Sequence, residues 1–167
     1  MKALVRSDIH GHLPVLQAVL LAEPDANQII CLGDLVNYGP HPVECVAWAM
    51  GHPTSLVVEG NEDRAFGLGK TPNCSPVYQR MAEAVQAATS ALLNAKMRGS
   101  LAKLPASRRF CLGGATCVAC HSTGNNKGPI PAPQRCSHLH QCGIHGHPCR
   151  LRYARSPKNV RFRKAET

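Results

Sequence analysis

Three short apolar segments, each ending in a polar turn, constrain the fold of this chain more than any other feature. The segments read KALVRS, QIICLGD and TSLVVEGN, and segments with helical apolar periodicity separate them. Uninterrupted apolar strands that alternate with helices are typical of a parallel sheet covered on both faces. The sequence therefore predicts an α/β fold.

Helical patterns and one hairpin complete the predicted architecture. LPVLQAVLLAE carries Pro14 in its first turn, where proline is favoured, and VECVAWAM follows the second strand. A long helical stretch, SPVYQRMAEAVQAATSALLNAKM, is expected to break near Thr89 and Ser90. The segment RRFCLGGATCVAC predicts a β-hairpin that turns at Gly113 and Gly114.

The composition of the chain changes abruptly after Cys120. Residues 1–120 contain ten Lys or Arg and nine Asp or Glu, whereas residues 121–167 contain nine Lys or Arg and a single acid, Glu166. We therefore divide the chain into a core, residues 1–120, and a basic Cys/His/Pro-rich tail, residues 121–167, in which only LRYA and NVRFR resemble strands. A basic tail of this kind is typical of nucleic-acid contact and equally of a solvated basic end.

The apolar residues give no sign of a membrane segment. No run of about 18 apolar residues occurs, and Arg6, Ser7 and Asp8 interrupt the N-terminal segment where a signal peptide is apolar. The sequence therefore predicts a soluble cytoplasmic protein with no membrane partner. It does not predict the oligomeric state.

Polar side chains follow each of the three predicted strands. Asp8 and His10 come after the first strand, on one side of an extended chain, while Asp34 and Asn61 end the second and third strands. Ligands bind at the carboxyl ends of the strands in open α/β sheets. Carboxylate, imidazole and amide oxygen together predict a metal site, and a carboxylate can bridge two cations.

Three later histidines extend this pattern. His121 follows the segment TCVAC, and His145 and His147 form an H-x-H pair. The order D-x-H, G-D, G-N-x-D, single His and H-x-H resembles the calcineurin-like metallophosphoesterase family. SDIHGHLPVLQAVL and CLGDLVNYGPHPVECV look like its bacterial phosphoesterase and phosphodiesterase branch, which includes proteins similar to diadenosine tetraphosphatases.

The resemblance implies a fold, a cofactor and an activity. The implied fold is an α/β/β/α sandwich, whose second sheet is either complete or left incomplete by the atypical C-terminal third. The implied cofactor is a pair of divalent metal ions. Mn²⁺ is the first choice, and Fe, Zn, Ni and Mg are the alternatives. The implied activity is hydrolysis of a small phosphodiester or nucleotide-type phosphate ester by water that two metals activate. By matching motifs, one metal is assigned to Asp8, His10 and His147, the other to Asn61, His121 and His145, and the bridging position to Asp34.

The segment VVEGNEDRAF carries the residues of the implied catalytic set that follow Asp34, namely Asn61, Glu62 and Asp63. Asp63 stands where the family has an Asp that supports its neighbour. Glu62 stands where the family usually has a His that protonates the leaving oxygen or steadies the phosphate. An ionised carboxylate beside a phosphate is unfavourable because like charges repel. Glu62 therefore keeps an alternative open, in which the chain is a catalytically impaired or truncated member that binds metal or nucleic acid.

The tail itself has three interpretations. It completes the metal centre through His145 and His147, or it is a degenerate or frame-shifted end. In the third interpretation Cys117 and Cys120 join the later Cys and His residues in a structural zinc site, because thiolates and imidazoles at such spacing can bind zinc.

Overall fold

A computed structural model describes residues 2–53, 55–71, 74–112 and 115–121, together with the backbone of residues 150–154. The strands are β1 (Lys2–Arg6), β2 (Gln28–Cys31), β3 (Ser55–Val57), β4 (Ser107–Leu112), β5 (Ala115–Cys120) and β6 (Arg150–Ala154). The helices are α1 (Leu13–Ala22), α2 (Pro42–Gly51), α3 (Asn61–Gly67), α4 (Gln79–Leu92) and α5 (Ala95–Ala102), and a 3-10 turn (Pro76–Tyr78) precedes α4.

The three predicted apolar strands form a parallel sheet. The strand order is β3-β2-β1-β6, with Val5 opposite Ile30 and Ile30 opposite Leu56. β6, which comes from the basic tail, pairs with β1 in parallel. Helices connect β1 to β2 and β2 to β3, as the alternating pattern predicted, and the α/β fold is confirmed.

Both faces of the sheet are covered, because alternate residues of a strand point to opposite faces. On one face, Ala3, Val5 and Ile30 pack against Leu112 and Ala119 of the β4–β5 hairpin. The other face packs against helices, and its buried residues include Cys31, Val57, Leu16, Val46, Phe66 and Leu101. The described layers are therefore helices, a parallel sheet and a hairpin, in the order expected of the α/β/β part of the sandwich.

The helical stretch before the hairpin breaks later than predicted. α4 continues through the buried Thr89 to Leu92, and α5 begins at Ala95. Asn94 caps the new helix, because its side-chain oxygen accepts a hydrogen bond from the backbone N–H of Met97 at 2.9 Å. The predicted break near Thr89 and Ser90 was therefore wrong, since the break lies where the chain supplies a capping side chain.

A short helix replaces the end of the third predicted strand. β3 ends at Val57, and α3 begins at Asn61, with Gly60 as its N-cap. The carboxylate of Asp63 accepts from the N–H of Gly60 at 3.1 Å, which satisfies one of the donors left open at a helix start. The sequence analysis missed this helix, although an Asp three residues after the glycine was its signal.

The hairpin has the predicted antiparallel register. Leu112 lies opposite Ala115 and Ser107 lies opposite Cys120, while the turn residues 113 and 114 lie outside the described residues. The segment NVRFR lies outside them as well. Among the helices that the structure describes, none is long and apolar enough to cross a bilayer.

Candidate metal centre

The loops that follow β1 and β2 stay paired beyond the ends of the strands. The N–H of Asp8 donates to the carbonyl of Gly33 at 3.0 Å, and the N–H of His10 donates to the carbonyl of Asp34 at 2.8 Å. These bonds carry the pairing past the last sheet residues. They fix the positions of Asp8, His10 and Asp34 relative to one another.

Five non-glycine residues of these loops have a left-handed backbone. Asp8, His10, Asp34, Asn37 and Tyr38 have φ between 47° and 66°. Asp, Asn and His tolerate this region better than other residues, whereas a bulky Tyr rarely adopts it. Each such residue costs on the order of 1–3 kcal/mol, and such strain persists where the surrounding structure holds it, often at functional sites. No sequence pattern marks these positions as strained.

Two glycines allow the loop after β2 to touch the start of α3. A Cβ on Gly60 would overlap the side-chain oxygen Oδ1 of Asp34, and a Cβ on Gly33 would overlap the backbone nitrogen of Gly60. Oδ1 of Asp34 also accepts from the N–H of Glu62 at 2.9 Å. The absence of these side chains is therefore what lets Asp34 sit against the N-terminus of α3.

The buried carboxylate of Asp63 organises the backbone around Asp34. It accepts from the N–H groups of Asp34 (2.7 Å), Leu35 (2.8 Å), Val36 (3.4 Å) and Gly60 (3.1 Å). Burial and the nearby charge of Asp34 raise the pKa of Asp63 to about 6, although the backbone donors oppose this shift. Asp63 therefore holds the loop that carries Asp34 through its backbone N–H groups.

Three potential ligands converge on Asp34. One ligand atom from each of Asp8, Asp34 and His121 lies within 4.8 Å of the others. Oδ2 of Asp34 is 3.4 Å from Nε2 of His121 and 3.9 Å from Nε2 of His10. Burial raises the pKa of Asp34 above its usual range, while His121 and His10 oppose that shift. A cation at this point would relieve the cost of burying the carboxylate.

The two imidazoles are oriented in the same way. Nδ1 of His10 lies 3.1 Å from the carbonyl of Val36, and Nδ1 of His121 lies 2.8 Å from the carbonyl of Leu32. A neutral ring whose Nδ1–H donates to a carbonyl leaves the lone pair of Nε2 available, and metal-binding histidines are usually held so. Both Nε2 atoms lie near Asp34, so the donor set fits a divalent cation.

The remaining predicted ligands are placed only in part. Oδ1 of Asn61 lies 3.2 Å from Nε2 of His121, at the same side of the cluster. His145 and His147 lie outside the described residues. The structure thus brings together Asp8, His10, Asp34, Asn61 and His121 from four separate segments of the chain.

The family follows from a comparison with known proteins. A family model described as calcineurin-like phosphoesterase matches residues 1–125. The chain belongs to the calcineurin-like phosphoesterase family. The match covers all five clustered residues, and the resemblance to this family that the sequence indicated is confirmed.

The chain is also similar to three individual proteins, one of which is a metallophosphoesterase. Protein MJ0912 of Methanocaldococcus jannaschii is 44% identical over 68 residues, which are 40% of this chain and 27% of MJ0912. A metallophosphoesterase from Sphaerobacter thermophilus superposes with a TM-score of 0.54 at 33% identity, covering 70% of this chain and 45% of its own. Protein PH1004 from Pyrococcus horikoshii OT3 superposes at 0.55 and 22% identity, with 67% and 51% covered, and shows a similar fold. The chain thus spans about half the length of each of these two solved structures and 27% of the curated relative.

Glu62, the unusual residue of the family motif, is buried and held by protein donors. Its Oε2 accepts from Nδ2 of Asn37 at 2.6 Å, and its Oε1 accepts from Nδ2 of Asn61 at 3.1 Å. The ring of Tyr38, which follows Asn37 in the same loop, meets His10 edge-on at 5.0 Å. Burial raises the pKa of Glu62. Asn37 and Tyr38 were missed by the sequence analysis, because nothing in their spacing resembled a ligand motif.

The structure describes only two of the residues in the proposed zinc site of the tail. Cys117 and Cys120 lie on β5, and Cys117 packs with the residues between the sheet and the hairpin. The other Cys and His residues of that alternative, from Cys136 onward, lie outside the described residues. Among the residues that the structure describes, the one group of ligating side chains close enough to share an ion is the group of Asp8, Asp34 and His121.

Proposed function

We propose that this chain is a metal-dependent phosphoesterase that hydrolyses phosphodiester or nucleotide-type phosphate esters with water activated between two divalent cations, Mn²⁺ being the first choice. One observation carries the proposal. Asp8, Asp34 and His121 converge within 4.8 Å in a chain of the phosphoesterase family. Substrates such as those of diadenosine tetraphosphatases belong to the proposed class.

The chain's own residues divide into two sides around Asp34. When bound, divalent cations supply Lewis-acid polarisation of a phosphoryl oxygen and acidify a bound water. Asp8 and His10 would hold a cation on one side, and Asn61 and His121 would hold one on the other. Asp34 lies between the two imidazoles, which is the position a bridging carboxylate requires. His145 and His147 remain the proposed further ligands.

The state of Glu62 favours esters with good leaving groups. Its two oxygens accept hydrogen bonds from Asn37 and Asn61, so the carboxylate is directed at protein donors. A residue used in this way is poorly placed to protonate a departing alkoxide. The aryl oxide of an aryl phosphodiester, or the phosphate released from a phosphoanhydride-type nucleotide, departs without such help. This contact pattern supports diesters over alkyl phosphomonoesters.

The test is hydrolysis by the full chain after removal and replacement of metal. EDTA-treated protein reloaded with Mn²⁺ is expected to hydrolyse bis(p-nitrophenyl) phosphate. Asp34→Asn is expected to lower the rate by at least ~1,000-fold, which corresponds to about 4 kcal/mol of transition-state stabilisation. Asp25→Asn is the matched control, because Asp25 is exposed in the turn between α1 and β2 and should leave the rate unchanged. Folded, metal-loaded protein with no hydrolysis would contradict the proposal and favour the metal- or nucleic-acid-binding alternative.

A further inference from the structure

The orientation of the Asn61 amide depends on Glu62. An Asn side chain has an oxygen and a nitrogen of similar size, and its hydrogen bonds decide which one faces a given point. Nδ2 of Asn61 donates to Oε1 of Glu62 at 3.1 Å, so Oδ1 points toward Nε2 of His121 at 3.2 Å. Within the described residues, the hydrogen bond to Glu62 is what keeps the amide nitrogen of Asn61 away from the proposed metal position. An amide NH₂ cannot bind a cation.

Glu62 is itself held by the loop after β2. Nδ2 of Asn37 donates to Oε2 of Glu62 at 2.6 Å, and Asn37 is 1% exposed. Oδ1 of Asn37 is buried and has no hydrogen-bond partner within the part of the chain that the structure describes. Among the described residues, Glu62 is therefore the hydrogen-bond partner that sets the orientation of the Asn37 amide. A left-handed backbone at Asn37, with φ of 66°, brings the side chain to this place.

We propose that Glu62 and Asn37 form a positioning pair, in which Asn37 fixes the Glu62 carboxylate and the carboxylate turns Oδ1 of Asn61 toward a bound divalent cation. The inference rests on the metal centre of the proposed function. It gives Glu62 a role that does not require proton transfer. It also gives a reason for a carboxylate at this motif position, since both of its oxygens accept hydrogen bonds from neutral side-chain amides.

Two substitutions of similar size separate hydrogen bonding from charge. Glu62→Gln removes the charge but keeps an oxygen for Nδ2 of Asn61, and its new NH₂ can donate to Oδ1 of Asn37 once that amide turns over. Glu62→Met removes every acceptor at nearly the same length. The readout is the Mn²⁺ affinity of the full chain, measured by isothermal titration calorimetry without substrate. We expect Glu62→Gln to bind Mn²⁺ nearly as tightly as the wild type, and Glu62→Met to bind roughly 10- to 100-fold more weakly.

A double-mutant cycle tests whether Glu62 acts through Asn61. Asn61→Ala removes the amide that Glu62 orients. In the Asn61→Ala background, Glu62→Met should therefore cause no further loss of Mn²⁺ affinity. A further loss equal to that in the wild-type background would overturn the proposal.

Other outcomes are equally decisive. Equal weakening by Glu62→Gln and Glu62→Met would mean that Glu62 acts through its charge or as a ligand, and would refute the positioning role. Unchanged affinity in both variants would refute any role in metal binding.

Thermal unfolding in EDTA checks the fold, and replacement of a buried carboxylate by an apolar residue of similar volume is often tolerated. If Glu62→Met does not fold, Asn37→Ala takes its place, since it removes the amide that holds Glu62 and should weaken affinity in the same direction.

Glu59→Gln is the control for loss of a nearby buried carboxylate. Glu59 is 6% exposed, and its Oε1 pairs with Arg64 at 3.0 Å. This variant should leave Mn²⁺ affinity unchanged. Because affinity is measured without turnover, the two hypotheses fail separately. Protein that hydrolyses no ester but shows the expected affinity pattern refutes the proposed function alone, whereas an active enzyme with equal affinities refutes the positioning pair alone.

Discussion

The two sides of the metal centre are held by different means. The loop side, residues 8–12, 33–38 and 60–63, is held by backbone hydrogen bonds and by the carboxylate of Asp63. The hairpin side, which is β4, β5 and His121, packs on the sheet through Leu112 and Ala119. One ring-to-carbonyl contact, from His121 to Leu32 at 2.8 Å, orients its ligand.

This difference separates stability from binding. Damage to the loop side removes several buried hydrogen bonds at once, so it should cost both the free energy of unfolding and metal affinity. Damage to the ligand of the hairpin side should cost mainly metal affinity, because apolar burial keeps the hairpin in place. Four experiments test this contrast.

The largest effect is expected from Asp63→Asn on the loop side. Asn keeps one oxygen, and its NH₂ would face backbone N–H groups that now donate to the carboxylate. We expect a loss of about 3 kcal/mol in the free energy of unfolding, because hydrogen bonds to a charged group are worth about 1.5–3 kcal/mol each. Urea unfolding at pH 7.5, with Asp25→Asn as the control, measures this loss. An unchanged midpoint would show that Asp63 does not hold the loop.

Gly60→Ala should have the next largest effect. Its Cβ would overlap Oδ1 of Asp34, so either Asp34 or the start of α3 must move. We expect a cost of about 2 kcal/mol in unfolding free energy, as for other overpacked sites, together with weaker Mn²⁺ binding. Gly99→Ala is the matched control, because a Cβ there meets nothing within 4 Å and should stabilise α5 by about 0.5–1 kcal/mol. If both variants were stabilised, the contact between Gly60 and Asp34 would not be tight.

His121→Ala tests the hairpin side directly. It removes one ligand and one contact to the carbonyl of Leu32. We expect Mn²⁺ affinity to fall at least 10- to 100-fold, while the free energy of unfolding in EDTA falls by only about 1 kcal/mol. Calorimetric titration and thermal unfolding measure the two quantities. A loss of several kcal/mol in stability would mean that the ring, and not apolar burial, holds the hairpin on the sheet.

The smallest effect is expected when the pH is varied. It concerns the stability that the loop side gives to the metal-free protein. Burial raises the pKa of Asp63 from its ordinary value of 3.8 to about 6, so the folded state holds the proton more tightly than the unfolded chain. The stabilisation that comes from proton binding at Asp63 is complete below pH 3.8 and is lost as the pH rises through 6, while the hydrogen bonds from the backbone N–H groups remain. Mn²⁺ binds the deprotonated site and opposes that loss. The difference in melting temperature between Mn²⁺-loaded and EDTA-treated protein should therefore widen from pH 5 to pH 7, and a constant difference would contradict the link.

The elements of the core could be predicted from the sequence because their causes are local. Apolar runs define β1 and β2, and polar residues end them where a parallel sheet exposes its carboxyl edge. Pro14 and Pro42 lie at helix starts, as proline does elsewhere. The boundary between α4 and α5 was misjudged because Asn94, and not Thr89, provides the cap.

The sequence by itself determined that Asp8, His10, Asp34 and Asn61 follow strands and so belong near one edge of a sheet. Tertiary structure decided how each side chain is used. The carbonyls of Val36 and Leu32 that orient the two histidines come from residues with no polar side chain to mark them. The physical reason is that the apolar pattern along a strand is a property of neighbouring residues. The hydrogen bond by which Asn37 holds Glu62 depends instead on two segments, the loop after β2 and the start of α3, meeting in space.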